Sequence, residues 1–207
     1  MGLFKKFVSQ TRKPQGVLGA LMVSGMNSGH AKLADWGMRS LNGIEAAHIA
    51  EIGCGGGRNA RKLLEKYPDA KLAALDYSEL SVEKTKETNR DFIAAGRCTV
   101  VQGSAEALPF EDESFDLVTA FETVYFWPGP EPCFSEIYRV MKRGGTFMIC
   151  NESDGRDAAA LRFEKIIDGM KCYTPEQLAE MLKSVGFSRI RYAHHPSNPW
   201  IAVLAEK

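Results

Sequence analysis

Short apolar runs alternate with amphipathic segments through the middle of the chain. Residues 46–50, 71–75, 98–102 and 114–121 are runs of four to eight residues that read as buried strands. Between the first two, residues 58–64 carry apolar positions at helical spacing, and residues 79–86 suit a second helix. Strands alternating with helices predict a parallel sheet covered on both faces, so the fold class is α/β. Further on, Thr174-Pro175-Glu176-Gln177 predicts a helix start: a capping threonine, a proline at the first helical position and a glutamine where a capping box needs one. Gly186 predicts its end, and residues 188–193 and 200–205 read as two closing strands joined by His194-His195-Pro196-Ser197-Asn198-Pro199. Residues 1–41 read as helical and irregular, interrupted by Gly16, Gly19, Gly25 and Gly29. No linker divides the chain, so one domain over 1–207 is expected, with an N-terminal helical segment (1–44), a core (45–150) and a C-terminal helix with hairpin (151–207).

Between the first strand and the first helix lies Glu51-Ile52-Gly53-Cys54-Gly55-Gly56-Gly57. Glycine permits positive φ and removes the Cβ that would hold a ligand off the backbone. A helix N-terminus behind such a turn offers unpaired N–H groups. The combination suits a nucleoside-bearing cofactor. It is not the dinucleotide fingerprint, because the position three after Gly55 is Arg58 where that pattern has glycine. The second strand ends in Asp76, about twenty residues past the glycines, where a nucleotide-binding unit places its ribose-binding acid. Asp76 could instead cap the helix that follows, although Ser78 can do that.

The order of these segments resembles class I S-adenosylmethionine-dependent methyltransferases, and most closely the small-molecule type 11 group of the ubiquinone/menaquinone-biosynthesis kind. The resemblance rests on Glu51 to Gly57, Asp76, Gly103-Ser104-Ala105-Glu106-Ala107-Leu108-Pro109-Phe110, Phe115-Asp116-Leu117-Val118 and residues 136–145, half the chain in family order. It implies a Rossmann-like, seven-stranded, mostly parallel sheet with helices on both faces and an antiparallel C-terminal hairpin. It implies S-adenosylmethionine as cofactor and S-adenosylhomocysteine as product. By position, Glu51 belongs to the cofactor motif and Gly53, Gly55 and Gly57 would line the methionine part. Asp76 would hold the ribose hydroxyls and Tyr77 would lie along the adenine. Ser104 and Ala105 would meet the adenine edge, and Phe121 would offer backbone to the methionine amino group. Ser104 departs from the family, which commonly has an acid there; a neutral hydroxyl accepts more weakly than a carboxylate.

Ligands of open α/β sheets bind beyond the carboxyl ends of the strands. The segment after the fourth strand, Glu122-Thr123-Val124-Tyr125-Phe126-Trp127-Pro128, should therefore face an acceptor. Glu122 could accept a proton or orient a nucleophile, and Tyr125 combines an apolar ring with a polar handle. Phe126 and Trp127 read first as core cover. Asn151-Glu152 ranks below Glu122. His30 could act as a base, since imidazole titrates near neutrality; Asn27 and Lys32 are weaker candidates. His194 and His195, at a hairpin tip, read as solvent-facing. The reaction expected is in-line transfer of the methyl group to a small-molecule acceptor. A non-catalytic sensor or partner subunit that binds the cofactor, and a macromolecule methyltransferase, remain the alternatives.

Charge narrows the partners. The 26 basic and 26 acidic residues cancel, which argues against a nucleic-acid footprint. No apolar run is long enough to span a membrane, so no stable membrane insertion is expected. Cys54, Cys98, Cys133, Cys150 and Cys172 contain no Cys-x-x-Cys pair, so no metal site is expected and the thiols read as those of a cytoplasmic protein. The amphipathic start Leu3-Phe4-Lys5-Lys6-Phe7-Val8 could touch a membrane or a second copy in a homodimer.

Overall fold

The computed structural model of the protein describes residues 30–207. The expectations for residues 1–29, including the amphipathic start and Asn27, lie outside the described residues. The chain opens with α1 (Ala31–Gly37) and a 3-10 turn (Met38–Leu41), then runs β1 (His48–Ile52), α2 (Arg58–Lys66), β2 (Lys71–Asp76), α3 (Glu79–Thr88), α4 (Arg90–Ala94), β3 (Cys98–Gln102) and β4 (Phe115–Phe121). A second 3-10 turn (Val124–Phe126) leads to α5 (Pro130–Val140), β5 (Met141–Asn151), α6 (Ala158–Glu164), α7 (Pro175–Val185), β6 (Ser188–His194) and β7 (Ile201–Glu206). The first strand starts two residues later than its apolar run suggests and extends to Ile52, which makes Glu51 a strand residue.

The sheet has seven strands in the order β3-β2-β1-β4-β5-β7-β6. β1 is parallel to both β2 and β4, so strand order reverses between β1 and β4. That reversal opens a crevice at the carboxyl edge. β7 pairs antiparallel with β5 and with β6, which makes β6 the sheet edge.

Parity along the strands explains the unbroken apolar runs. Ala50, Ile52, Val118, Ala120, Phe147 and Ile149 join Phe134 and Ile137 of α5 and Leu178 and Leu182 of α7 in one core. The residues between them, Ile49, Leu117, Met148 and Cys150, face Leu33 and Ala34 of α1 and Leu63 and Leu64 of α2 in the other. A strand covered on both sides has no polar face, so period-two alternation disappears.

The C-terminal helix forms as its sequence dictates. The Thr174 side chain accepts from Gln177 N, the Gln177 side chain accepts from Thr174 N, and Gly186 closes the helix at φ 119°. His195 departs from expectation. Its ring packs 5.5 Å from Trp36 of α1 and 4.5 Å from Trp200, so this side of the hairpin folds against the N-terminal helix; His195 is half-buried and His194 is exposed. An aromatic on either side offers the ring more than water does.

Candidate functional site

The loop of residues 53–57 is held from beneath and from the side. Gly53 N and Cys54 N both donate to Leu75 O, at 2.7 and 3.0 Å, which ties the loop to β2. The inner face of α3 takes its carbonyls: Thr85 Oγ1 donates to Gly55 O (3.0 Å), Thr88 Oγ1 to Gly56 O (2.8 Å) and Asn89 Nδ2 to Gly57 O (3.0 Å). Gly57 adopts φ 78°, and a Cβ there would lie 2.6 Å from Asn89 Nδ2 and 2.8 Å from Thr85 Cα. This glycine therefore serves helix packing. A Cβ at Gly53 would collide with the Thr123 side chain, so the loops after β1 and β4 touch there.

Glu51 lies below the loop, 1% exposed. Burial, then the charge of Asp76, raises its carboxyl well above the ordinary range, against one backbone hydrogen bond from Ala60 in the first turn of α2. Among the described residues its Oε2 has no hydrogen-bond partner. Its contact with α2 is that hydrogen bond from Ala60.

One cavity of about 310 Å³ opens at the carboxyl edge between β1 and β4. Gly53, Gly55, Asp76, Tyr77, Ser104, Ala105, Phe121, Glu122 and His30 line it, as do Gly56 and Glu106. Of the expected residues, Glu51, Gly57 and Tyr125 do not line it. Asp76 is 7% exposed, and burial raises its carboxyl against the hydrogen bonds it accepts from Ser78 N and Gly55 N, both 2.9 Å. The Ser81 hydroxyl and the Tyr77 N–H also favour the carboxylate, which lines the cavity where a ligand's hydroxyls would meet it. Ser78, not Asp76, caps α3. The Ser104 Oγ lies 3.4 Å from Glu106 Oε2 and accepts from Glu106 N at 3.3 Å. Spacing from the strand gave no signal for Glu106; only the turn at Ser104–Ala107 brings it to the rim.

At the other end, Glu122 follows β4 with φ 57° and is 8% exposed. It is a buried carboxylate, not a surface one. Its carboxylate accepts from Tyr125 Oη at 2.9 Å and from the backbone N–H of Glu152. Burial, then the charge of Glu152, pushes Glu122 well above the ordinary carboxyl range; the two hydrogen bonds oppose the shift. Tyr125 sits behind Glu122 with its phenol pushed up by burial and by that same carboxylate. His30, which precedes α1, places Nδ1 3.7 Å from Glu122 Oε2 and Nε2 3.6 Å from Glu152 Oε2. The three side chains could also approach a metal ion, since one ligand atom from each lies within 4.8 Å of the others. Asn151 is buried, and its Oδ1 has no hydrogen-bond partner among the described residues; Lys32 is exposed, and Trp127 anchors Thr123 through Nε1 at 3.1 Å. All five cysteines are free and buried. Among the described residues, no helix is long and apolar enough to cross a membrane.

Residues 50–149 match the family model described as a methyltransferase domain. A sterol 24-C-methyltransferase of Debaryomyces hansenii is 31% identical over 152 residues, which cover 69% of this chain and 40% of that protein. A sarcosine/dimethylglycine N-methyltransferase of Halorhodospira halochloris is 28% identical over 72% of this chain and 54% of its own length. The chain thus spans about half the length of these relatives. Human N-acetylserotonin methyltransferase, solved with S-adenosylmethionine, has the same fold at a TM-score of 0.74 and 18% identity, over 92% of this chain and 56% of that one. The core of this chain is a methyltransferase domain of the class I, S-adenosylmethionine-dependent type 11 group.

Proposed function

We propose that the chain transfers a methyl group from S-adenosylmethionine to a small-molecule acceptor. One observation carries this reading: a single cavity holds the glycine loop and Asp76 at one end and the His30–Glu122 pair at the other. Its volume of about 310 Å³ suits small ligands. Gly53, Gly55 and Gly56 would admit the amino-acid part against backbone, Asp76 would accept from the ribose hydroxyls, and Tyr77, Ser104 and Ala105 would meet the base. Phe121 would offer its backbone to the methionine amino group. His30 and Glu122 would act on the acceptor and Tyr125 would fix Glu122. Alignment of donor and acceptor can lower such a barrier by roughly 7–11 kcal/mol. The relatives named above methylate a sterol, sarcosine and dimethylglycine, which supports a small acceptor without choosing one.

The test is titration calorimetry with S-adenosylmethionine, S-adenosylhomocysteine and NAD, followed by turnover on a panel of small nucleophiles. Both adenosyl compounds should bind and NAD should not. Asp76→Ala should weaken their binding by about 100-fold, the loss of one or two hydrogen bonds to a charged group. Release of S-adenosylhomocysteine with at least one small acceptor is expected. Binding without release from any acceptor would favour a sensor, and NAD binding would end the assignment.

A further inference from the structure

Glu122 lines the acceptor end of the cavity and Glu152 lies outside the lining, on the solvent side of His30; among the described residues no lysine or arginine side chain is paired with either. The ring between them is His30. Its two nitrogens face different carboxylates: Nδ1 faces the buried Glu122, and Nε2 faces Glu152, whose side chain is 53% exposed. The side chains therefore form a series, from Tyr125 Oη (2.9 Å) to Glu122, to His30 (3.7 Å), to Glu152 (3.6 Å) and to solvent. A metal ion would draw one nitrogen and both carboxylates to a single point. A ring with one nitrogen toward each carboxylate instead spans them. Gaps of 3.6–3.7 Å must close by less than about 1 Å to reach hydrogen-bond length, and catalytic hydrogen bonds commonly tighten when substrate binds.

We propose that Glu122, His30 and Glu152 form a proton exit, and that the acceptor is a nucleophile that must lose a proton, an O–H or N–H group. The inference rests on the methyltransferase reading above. When bound, the sulfonium supplies the methyl group: its S–CH₃ bond breaks as the acceptor's O–CH₃ or N–CH₃ bond forms, and the electron pair stays on sulfur. The acceptor's proton passes to the ionised form of Glu122, which burial makes more basic, then to His30 Nδ1, while His30 Nε2 gives its proton to Glu152 and so to water. Tyr125 positions Glu122 by donating to it throughout. The ionisable groups facing this series are Tyr125, Cys150 and Cys172 around Glu122, with Arg58 at the cavity wall held by Asp35. Burial raises both thiols, so they stay protonated and bring no competing charge.

Two measurements test this. The first is the pH dependence of turnover with a hydroxyl or amine acceptor found in the panel. His30→Asn and Glu122→Gln should lower kcat by about 100-fold near pH 7, a general-base contribution, with S-adenosylmethionine affinity within twofold of wild type. Glu152→Gln should lose about tenfold. With a phenolic acceptor all three losses should vanish once the pH exceeds the phenol's own pKa, because the nucleophile is then already ionised. The second needs no turnover: in ¹⁵N-histidine-labelled protein, Glu122→Gln should move the His30 Nδ1 resonance and Glu152→Gln the Nε2 resonance. Losses that persist at high pH, or equal losses on an acceptor that has no proton to lose, overturn the proposal. So does activity removed by EDTA and restored by Mg²⁺ or Mn²⁺, which would make the cluster a metal site. If no acceptor releases S-adenosylhomocysteine, it is the methyltransferase reading that fails, and the resonances alone decide whether the series exists.

Discussion

The two ends of the cavity are made of different materials. At the glycine-loop end, the contacts come from backbone: loop carbonyls taken by Thr85, Thr88 and Asn89, loop amides donated to Leu75, and one carboxylate fixed by two N–H groups. At the far end, three ionisable side chains converge from the start of α1, the end of β4 and the end of β5. A backbone cradle needs glycine at a few positions and tolerates little else, so it suits one partner whose shape never varies. A cluster of side chains can be exchanged residue by residue without disturbing the strands that carry it. Recognition of a fixed cofactor and choice of an acceptor thus fall to separable parts of one sheet edge.

The sharpest way to break that contrast is at the cradle. Gly57→Ala places a Cβ against Asn89 and the backbone of Thr85, at φ 78°. Gly96→Ala has a similar φ of 69° and no atom within 4 Å of the new Cβ. Strain alone should cost about 1 kcal/mol at Gly96. The added collision should bring Gly57 to about 3 kcal/mol, a fall in Tm of roughly 6–12 °C for a chain of this size. Equal losses in urea denaturation would mean that α3 moves aside freely and the loop is not held as described.

A middle-sized effect separates structure from chemistry beneath the loop. Glu51 has its carboxyl raised by burial and by Asp76, so the protein prefers it protonated. Its contribution to stability is then fully present below the ordinary glutamate range and is lost as pH rises through the raised value. Glu51→Gln removes that loss. Relative to wild type, the variant should gain stability steadily between about pH 5 and 8, by a few degrees in Tm at the upper end. A gap that stays constant with pH would show that Glu51 carries no such shift.

Legibility followed the same division. The strands, the capping box at Thr174 and Asp76 were readable because each is a local pattern: an apolar run, a spacing of three, an acid at a strand end. Glu51 and Gly57 were readable as motif members but not in their roles, since those depend on Ala60 and on Thr85, side by side only after folding. His30, Glu122 and Tyr125 could be named singly. The pairing of His30 with Glu152 and the burial of Glu122 come from the sheet order, which sets β4 beside β5 and lays α1 across β5. His195 was misplaced for the same reason, because nothing near it in sequence announces Trp36.

The smallest effect is the most discriminating. Asp35 on α1 takes Arg58 Nη2 at 2.7 and 2.9 Å, linking the helix that follows His30 to the start of α2 beside the glycine loop. Both side chains reach solvent, at 53% and 23% exposure, so the pair should contribute less than about 1 kcal/mol. Asp35→Ala should shift Tm by no more than about 3 °C. Leu33 and Ala34 remain buried against the sheet and Trp36 stays packed on His195 and Trp200, so α1 keeps its place. Affinity for S-adenosylmethionine should stay within twofold, and kcat with the acceptor should fall by less than about threefold, the scale of one exposed ion pair. A tenfold loss of cofactor affinity from this change would couple the two ends through Arg58 and dissolve the division between backbone cradle and side-chain cluster.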